Sequence, residues 1–168
     1  MKLQFSPKKI DYWAGRYSYQ GEDKKLISLT SEIRKRKYLD KEQLHAICKW
    51  KSPRSHAHSL NNKDEFVKEI TAIALNEKEE RLRIEILTLL DGVGWPTASV
   101  ILHFYHKEPY PILDFRALWS LGIDVVPKQY EFQFWWIYVE FCMSLFVKYD
   151  VSNRTLDKAL WQYSKENQ

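Results

Sequence analysis

The stretch EILTLLDGVGWPTASVILHFYHKEPYPILDFRALWSLG, residues 85–122, organises the chain. It opens with an apolar helical pattern that is interrupted at residues 91–94, Asp-Gly-Val-Gly. The helical pattern resumes over about residues 96–105 and is interrupted again over residues 106–113. Asp114 then has the position of a cap on a further helix. The stretch therefore predicts three consecutive helices joined by two short breaks.

The break at residues 92–94 predicts a tight turn. Two glycines within three residues let the backbone turn with no side chains above it. Pro96 suits the first turn of the next helix, where its missing N–H is not needed. The pattern predicts a helix–hairpin–helix over about residues 82–105, whose turn amides and helix N-terminus form a site for a phosphate oxygen.

The motif Leu90-Asp91-Gly92-Val93-Gly94-x-x-Thr97-Ala98, followed by Pro111-Ile112-Leu113-Asp114, resembles the helix–hairpin–helix DNA glycosylase superfamily. This superfamily includes endonuclease III, the adenine glycosylase acting on mispairs, 8-oxoguanine glycosylase and the alkyl-adenine glycosylases. The similarity to the adenine glycosylase is strongest around Pro-Ile-Leu-Asp. In bifunctional members a catalytic lysine lies two residues after the last glycine of the hairpin, and an aspartate follows it by 18 residues. Positions 96 and 114 have this separation here, but position 96 is proline.

The resemblance implies an all-α fold in which residues 1–168 form one compact domain with two helical lobes. One lobe would contain the middle helices, and the other would combine the N-terminal arm with the C-terminal helices. The resemblance also implies that Asp114 is the catalytic carboxylate. The residues implied to bind the DNA backbone are Gly92, Val93, Gly94 and Thr97.

A carboxylate at position 114 has a physical role in such a reaction. Hydrolysis of an N-glycosidic bond passes through an oxocarbenium-like sugar, which a nearby carboxylate stabilises while it orients or deprotonates water. The alternative is that Asp114 only caps a helix. Pro96 offers no amine for a Schiff base with the sugar, so the resemblance implies base removal without strand cleavage. Lys107 is an alternative amine in the loop that follows.

The base pocket is predicted from side-chain chemistry, because flipped bases are held by stacking and by hydrogen bonds to their edges. The candidates for base or DNA contact are Trp50, Lys51, Arg54, Tyr110 and Arg116. Trp50 among basic residues suits a stacking platform, or else a core position with lysine stems lying over it. Arg116 either contacts phosphate or decorates its helix. Residues 55–62 form a polar loop, where the superfamily inserts wedge residues into the duplex.

Composition predicts a folded globular protein, with 168 residues, 45% hydrophobic and 15% aromatic. Only Cys48 and Cys142 are present, which argues against a disulfide scaffold, a zinc site or the four-cysteine iron–sulfur cluster of some superfamily members. His56 and His58 lack a third ligand nearby. We therefore expect no metal and no cofactor.

The positive charge is concentrated in one part of the chain. Residues 1–60 carry 14 Lys/Arg against 6 Asp/Glu, a net charge of +8, whereas residues 61–168 carry 12 against 16, a net charge of −4. A basic segment fits DNA as a partner, although uneven charge on solvated helices is an equal alternative. No signal peptide or membrane span is expected. The sequence thus predicts a cytoplasmic monomer, nucleoid-associated when bound to DNA.

Three functions follow from these patterns. The first is a monofunctional DNA glycosylase in base-excision DNA repair or defence, acting on an alkylated, oxidised, mispaired, uracil or hypermodified base. The second is a non-catalytic helix–hairpin–helix DNA-binding module, and the third is a protein-interaction domain. Beyond the hairpin, apolar periodicity predicts helices over about residues 7–14, 24–37, 64–74, 130–148 and 155–163, with another that begins at a capping box on Asp40.

Overall fold

A computed structural model describes residues 1–19, 21, 23–125 and 127–168. These residues form helices and turns with no β-strand, so the all-α prediction is confirmed. Of the helices described, none is both long and apolar enough to cross a bilayer. The α-helices are α1 Ile10–Gly15, α2 Lys24–Ser28, α3 Thr30–Arg36, α4 Lys41–Lys51, α5 Asp64–Asn76, α6 Glu80–Glu85, α7 Trp95–Tyr105, α8 Phe115–Ser120, α9 Phe132–Tyr149 and α10 Asn153–Asn167. Three 3₁₀ turns cover Pro7–Lys9, His56–Asn61 and Ile86–Leu89.

Internal contacts divide the chain into two compact units. The terminal unit consists of Met1–Gln20 together with Pro109–Gln168, and the middle unit is Gly21–Glu108. The terminal unit is therefore built from two distant segments of the chain, whereas the middle unit is continuous.

In the terminal unit, α1 packs along α10, and α10 packs on α8. The core is apolar and aromatic because α9 is hydrophobic almost all round, and Trp135 on it is fully buried. The N-terminal residues are part of this unit: Lys2 N–H donates to the Leu121 carbonyl and Gln4 N–H to that of Ser120, both at 2.9 Å.

In the middle unit, α7 is the central helix. Residues 97–105 are all buried, since α3, α4 and α6 pack against this helix. The capping box on α4 is confirmed, because the Asp40 carboxylate accepts from the Gln43 N–H and the Gln43 side chain accepts from the Asp40 N–H. Cys48 on α4 is buried, and burial raises its thiol pKa to about 11.

Several predicted bounds need correction. Residues 24–37 form two short helices and not one, since α2 ends at Ser28 and α3 begins at Thr30. The polar loop at 55–62 contains the 3₁₀ turn His56–Asn61. Its Ser59 hydroxyl donates to the His56 carbonyl at 2.6 Å. The last helix begins two residues earlier than predicted because Ser152 caps it at the Thr155 N–H, 3.0 Å away, and it continues to Asn167.

Candidate nucleic-acid interface

The turn predicted at residues 92–94 joins two helical segments of the middle unit. α6 continues as the 3₁₀ turn Ile86–Leu89, and α7 begins at Trp95, one residue from the predicted start. The two segments pack against each other. The local helix, turn and helix that the sequence pattern predicts are therefore present.

Gly92 is required by the geometry of this turn. Its φ is +82°, and a Cβ there would lie 2.8 Å from the backbone nitrogen of Ser59. Asn62 holds Asp91, the residue before Gly92, by two hydrogen bonds. The Asn62 side-chain amide donates to the Asp91 carbonyl and accepts from the Asp91 N–H, both at 2.9 Å. The turn is thus held against residues 59–62 by a close approach and two hydrogen bonds. The sequence pattern gave no sign of the Asn62 contact.

The amides of the turn divide into two groups. Val93 N–H donates to the Leu90 carbonyl at 3.0 Å, so it closes the turn. The prediction that the Val93 amide binds phosphate is therefore wrong for this conformation. Gly92 and Gly94 donate to no described residue. They are the turn's available donors.

The start of α7 adds a helix N-terminus beside Gly94. Gly94 is exposed and is the N-cap, and the first intrahelical bond runs from Ala98 N–H to its carbonyl at 2.9 Å. The first-turn amides of such a helix carry partial positive charge. Thr97 is only 2% exposed, so its hydroxyl is inside the unit. Its backbone N–H belongs to the first turn of α7, and the expected contact of Thr97 with the DNA backbone stays a prediction for that amide.

Leu60 is an exposed apolar side chain that the sequence reasoning missed. It belongs to the turn His56–Asn61 and is 49% exposed. Its neighbour Ser59 is the residue that approaches Gly92. The available signal was a single leucine within the polar run Ser-His-Ala-His-Ser-Leu-Asn-Asn, in the loop where a wedge residue was expected.

Trp50 lies at the edge of a cavity in the middle unit. The cavity has a volume of about 780 Å³. Trp50 is half-buried, and its ring makes an edge contact with Phe104 at a centroid distance of 5.8 Å. The residues lining the cavity are Lys25, Leu26, Lys41, Glu42, His45, Ala46, Lys49, Trp50 and Leu60. Trp50 is thus neither a core residue nor a free surface residue. Lys51 and Arg54 are outside the lining.

Asp114 lies in the terminal unit at the start of α8. It is half-exposed, and its Oδ1 accepts the Arg116 N–H at 2.9 Å. The prediction that it caps the helix is confirmed. The N-cap bond holds the carboxylate in place, and a cap of this kind is compatible with a further role.

The segment that leads to Asp114 is buried and anchored. The Tyr138 hydroxyl donates to the Ile112 carbonyl at 2.7 Å, and the Asn153 side-chain amide donates to the Tyr110 carbonyl at 2.7 Å. Tyr110 is 1% exposed and stacks on Trp135, with centroids 5.8 Å apart and planes 18° apart. The prediction that Tyr110 contacts a base is wrong for this conformation, because its ring is in the core.

Tyr130 is a second residue that the sequence reasoning missed. It is half-buried, and burial together with the negative charge of Asp114 raises the pKa of its phenol. The negative charge of Asp114 disfavours the phenolate, which explains the direction of this second effect. The sequence offered no periodic or motif signal for this interaction.

Arg116 stacks on aromatic rings. Its guanidinium carbon lies 5.1 Å from the Phe115 ring centroid and 5.3 Å from that of Trp161. These are cation–π contacts within the terminal unit. Neither predicted role, phosphate contact or decoration of the helix, includes these ring contacts, and the phosphate contact stays a prediction.

Metal-binding groups are not assembled in the described parts of the chain, where no three His, Cys, Asp or Glu side chains come together. His56 bonds through Nδ1 to the Pro53 carbonyl at 2.7 Å, and His45 through Nδ1 to the Ser59 hydroxyl at 2.9 Å. Cys142 is buried, and burial raises its pKa.

Comparison of the chain with protein-family models, with curated proteins and with solved structures gives no match. The resemblance to the glycosylase superfamily therefore rests on residues 90–98 and 111–114.

Proposed function

We propose that the protein is a monofunctional DNA glycosylase. It would hydrolyse the N-glycosidic bond of a flipped-out damaged, mispaired or modified base and leave an abasic site. The observation that carries this proposal is Asp114, a half-exposed carboxylate held at the start of α8 by its bond to the Arg116 N–H. It follows Pro96 by the separation at which superfamily members carry the lysine and the aspartate.

The proposed reaction needs one carboxylate and one water. As the bond between the sugar C1′ and the base nitrogen breaks, positive charge develops on the sugar, and the Asp114 carboxylate stabilises it. A water oxygen then bonds to C1′ and gives a proton to the Asp114 carboxylate, while the base leaves with the electron pair of the broken bond and takes up a proton.

The turn of the middle unit supports DNA as the partner. Gly92 and Gly94 offer amides with no acceptor among the described residues, and the N-terminus of α7 adds partial positive charge beside them. Pro96 at the start of α7 supports base removal without lyase chemistry. Lys107 is at the opposite end of α7, about 15 Å along the helix, so it is no substitute in that position.

Leu60 is the proposed wedge. Enzymes that act on a stacked base must extrude it, and apolar side chains inserted at the base step help to open the stack. Leu60 is exposed and lies on the turn that abuts Gly92, which would place it next to the gripped phosphate. Trp50, on the wall of the adjacent cavity, supplies an aromatic surface for stacking.

The test is base release from duplex and single-stranded DNA that carries a panel of modified bases, with alkali used to reveal abasic sites. We expect release by the native protein, loss in Asp114→Asn, and unchanged release in the control Asp124→Asn, which alters an exposed aspartate of the same unit. Mass spectrometry of bases released from genomic and phage DNA identifies the substrate. Release that survives Asp114→Asn would overturn the assigned role.

A non-catalytic DNA-binding module is the second candidate. The observation that favours it is the N-cap bond of Asp114, which explains that residue without any chemistry. This candidate predicts salt-dependent DNA binding with no base released from any substrate. It also predicts that Asp114→Asn binds DNA like the native protein.

A further inference from the structure

A second cavity of the middle unit lies at the end of α7 remote from Gly94. It has a volume of about 220 Å³ and is formed where α3, α5 and α7 end and α6 begins. Its lining residues are Arg34, Lys37, Leu75, Asn76, Glu77, Lys78, Arg83, Tyr105, His106 and Lys107. The cavity is thus assembled from four separate parts of the chain.

Cationic side chains dominate this lining. Arg34, Lys37 and Lys78 are exposed and make no ion pair with any described residue. Lys107 is 83% exposed, and its nearest carboxylate is the half-exposed Glu108 at 4.0 Å, a pair that contributes little. Glu77 is the lining carboxylate, and its Oε1 is already engaged with the Lys78 and Glu79 N–H groups at 2.7 and 3.1 Å.

Arg83 is the fixed cation of the cavity wall. It is 5% exposed, and its guanidinium donates to the Glu80 carboxylate and the Glu77 carbonyl. A guanidinium held in this way presents its donors in a set geometry. The cavity therefore combines one rigid cation with several adaptable ones at the rim.

The pKa of His106 reflects the combined positive charge of the cavity lining. It is 3% exposed, and its Nδ1 accepts the Glu108 N–H at 3.0 Å, so the ring hydrogen is on Nε2. Burial first, and then the charges of Arg83, Lys107, Arg34 and Lys37, lower its pKa to about 4. The positive charges of four side chains thus disfavour protonation of the His106 ring. At neutral pH the ring is uncharged and donates through its Nε2–H.

The negative ends of the neighbouring helices offset only part of the positive charge of the cavity lining. The carbonyl end of a helix carries about half a negative charge, so the three helices that end here offset about one and a half cations. Glu77, Glu80 and the more distant Glu108 offset up to three more of the five. About half a positive charge remains, and among the lining residues themselves five cations face one carboxylate.

We propose that this cavity binds a phosphate-bearing small molecule through its phosphate group. A phosphate monoester carries a charge of about −1.5 to −2 at neutral pH and three strong acceptor oxygens, which suits a lining that has five cations, one carboxylate and several N–H donors. The site is separate from the Gly92–Gly94 turn, and it does not depend on the glycosylase proposal.

The test is a titration of the full-length protein with inorganic phosphate at constant ionic strength, followed through the ring carbon–proton resonance of His106. We expect a saturable shift with phosphate and none with the balancing chloride. Arg34→Gln combined with Lys78→Gln should weaken binding by at least about tenfold, because two attractive charges are removed. The matched control, Lys35→Gln with Arg81→Gln, removes two exposed cations outside the lining and should leave it unchanged.

Two further arms identify the source of the phosphate. Deoxyadenosine monophosphate should compete with inorganic phosphate, whereas deoxyadenosine should not. The proposal fails if no saturable shift occurs, or if both double variants weaken binding equally, since the cations would then act only as diffuse surface charge. It also fails if duplex DNA shifts the His106 resonance while phosphate and the nucleotide do not.

Discussion

The hydroxyl of Tyr138 donates to the carbonyl oxygen of Ile112 at 2.7 Å, two residues before Asp114. Tyr138 is 1% exposed, and burial raises its pKa well above the ordinary value, so the phenol remains a donor across the usable pH range. The position of the candidate carboxylate is therefore set by a side chain of α9 that has no contact with substrate in the proposed reaction.

Tyr138→Phe removes this bond and leaves a buried carbonyl unsatisfied. We expect a loss of about 1 to 3 kcal/mol in the free energy of unfolding. We also expect slower base release, because the segment before Asp114 is no longer anchored there. Urea unfolding and single-turnover release measure the two effects. Tyr149→Phe is the control, since its hydroxyl makes no hydrogen bond with a described residue. Unchanged stability and release in Tyr138→Phe would contradict the anchoring role.

Gly92 and Gly94 should respond differently to alanine. Gly92→Ala forces a side chain into a φ of +82° and against the Ser59 backbone, so we expect a loss of more than about 1 kcal/mol in stability. At Gly94 a Cβ would meet only Pro96 Cδ at 3.8 Å, so Gly94→Ala should fold normally. Its exposed methyl should nevertheless weaken DNA binding if the turn grips phosphate. Native affinity in Gly94→Ala, measured by fluorescence anisotropy, would exclude this contact.

Leu60→Ala tests the wedge. Because Leu60 is 49% exposed, stability should change by no more than about 0.5 kcal/mol. Release from duplex DNA should slow several-fold, whereas release from single-stranded DNA should hardly change, since its bases need no extrusion from a paired stack. Ile73→Ala, at a 43% exposed isoleucine on α5 of the same unit, is the control. Equal slowing on both substrates would point to a role other than opening the duplex.

His106 gives the protein a defined sensitivity to acid. Burial, followed by the charges of Arg83 and other cations, lowers its folded-state pKa to about 4 from an ordinary value of 6.5. Below pH 6.5 the unfolded chain binds a proton that the folded protein does not, so stability falls until the pH reaches about 4. We expect a loss of roughly 2 kcal/mol between pH 7 and pH 5.

Urea unfolding at pH 7, 6 and 5 measures this loss. In His106→Gln the free energy of unfolding should depend less on pH, because the contribution of that one group is removed while the other histidines remain. Binding of phosphate to the basic cavity should raise the pKa of His106 and reduce the loss. If the free energy of unfolding of His106→Gln falls with pH as steeply as that of the native protein, His106 does not cause the sensitivity to acid.

The features that the sequence predicted correctly are those that depend on residues close together in the chain. The capping box on Asp40 and the cap at Asp114 lie within four residues of the groups that they bond, so both were readable. The bounds of α7 and α9 were predicted to within two residues, because their apolar runs begin and end sharply. The all-α class followed from the same periodicity.

The features that the sequence did not predict depend on packing between residues that are far apart in the chain. Whether Thr97 and Tyr110 face a partner or the core depends on residues elsewhere in their own units, and both proved to be buried. The Val93 amide is used inside its turn, which glycine spacing does not indicate. Asn62 reaches Asp91 across 29 residues. No short motif encodes such contacts.

The basic cavity illustrates the same limit. Its cations are spread from Arg34 to Lys107, and each, taken alone, resembles a solvated charge on a helix end. Only folding brings them around His106. The exposure of Leu60 was also not predicted, because Leu60 lies on the 3₁₀ turn His56–Asn61, whereas the sequence predicts only a polar loop over residues 55–62.

The pairing of α1 with α10 has a consequence for the order of events on the ribosome. Ile10–Gly15 lies near the start of the chain, and its partner Asn153–Asn167 near the end, with the whole middle unit between them. Contacts of such high sequence separation carry a large loop-closure cost and cannot form until both segments exist. Gly21–Glu108 can therefore acquire its structure while synthesis continues, whereas α1 must wait until Asn153–Asn167 has been made before the two helices can pair.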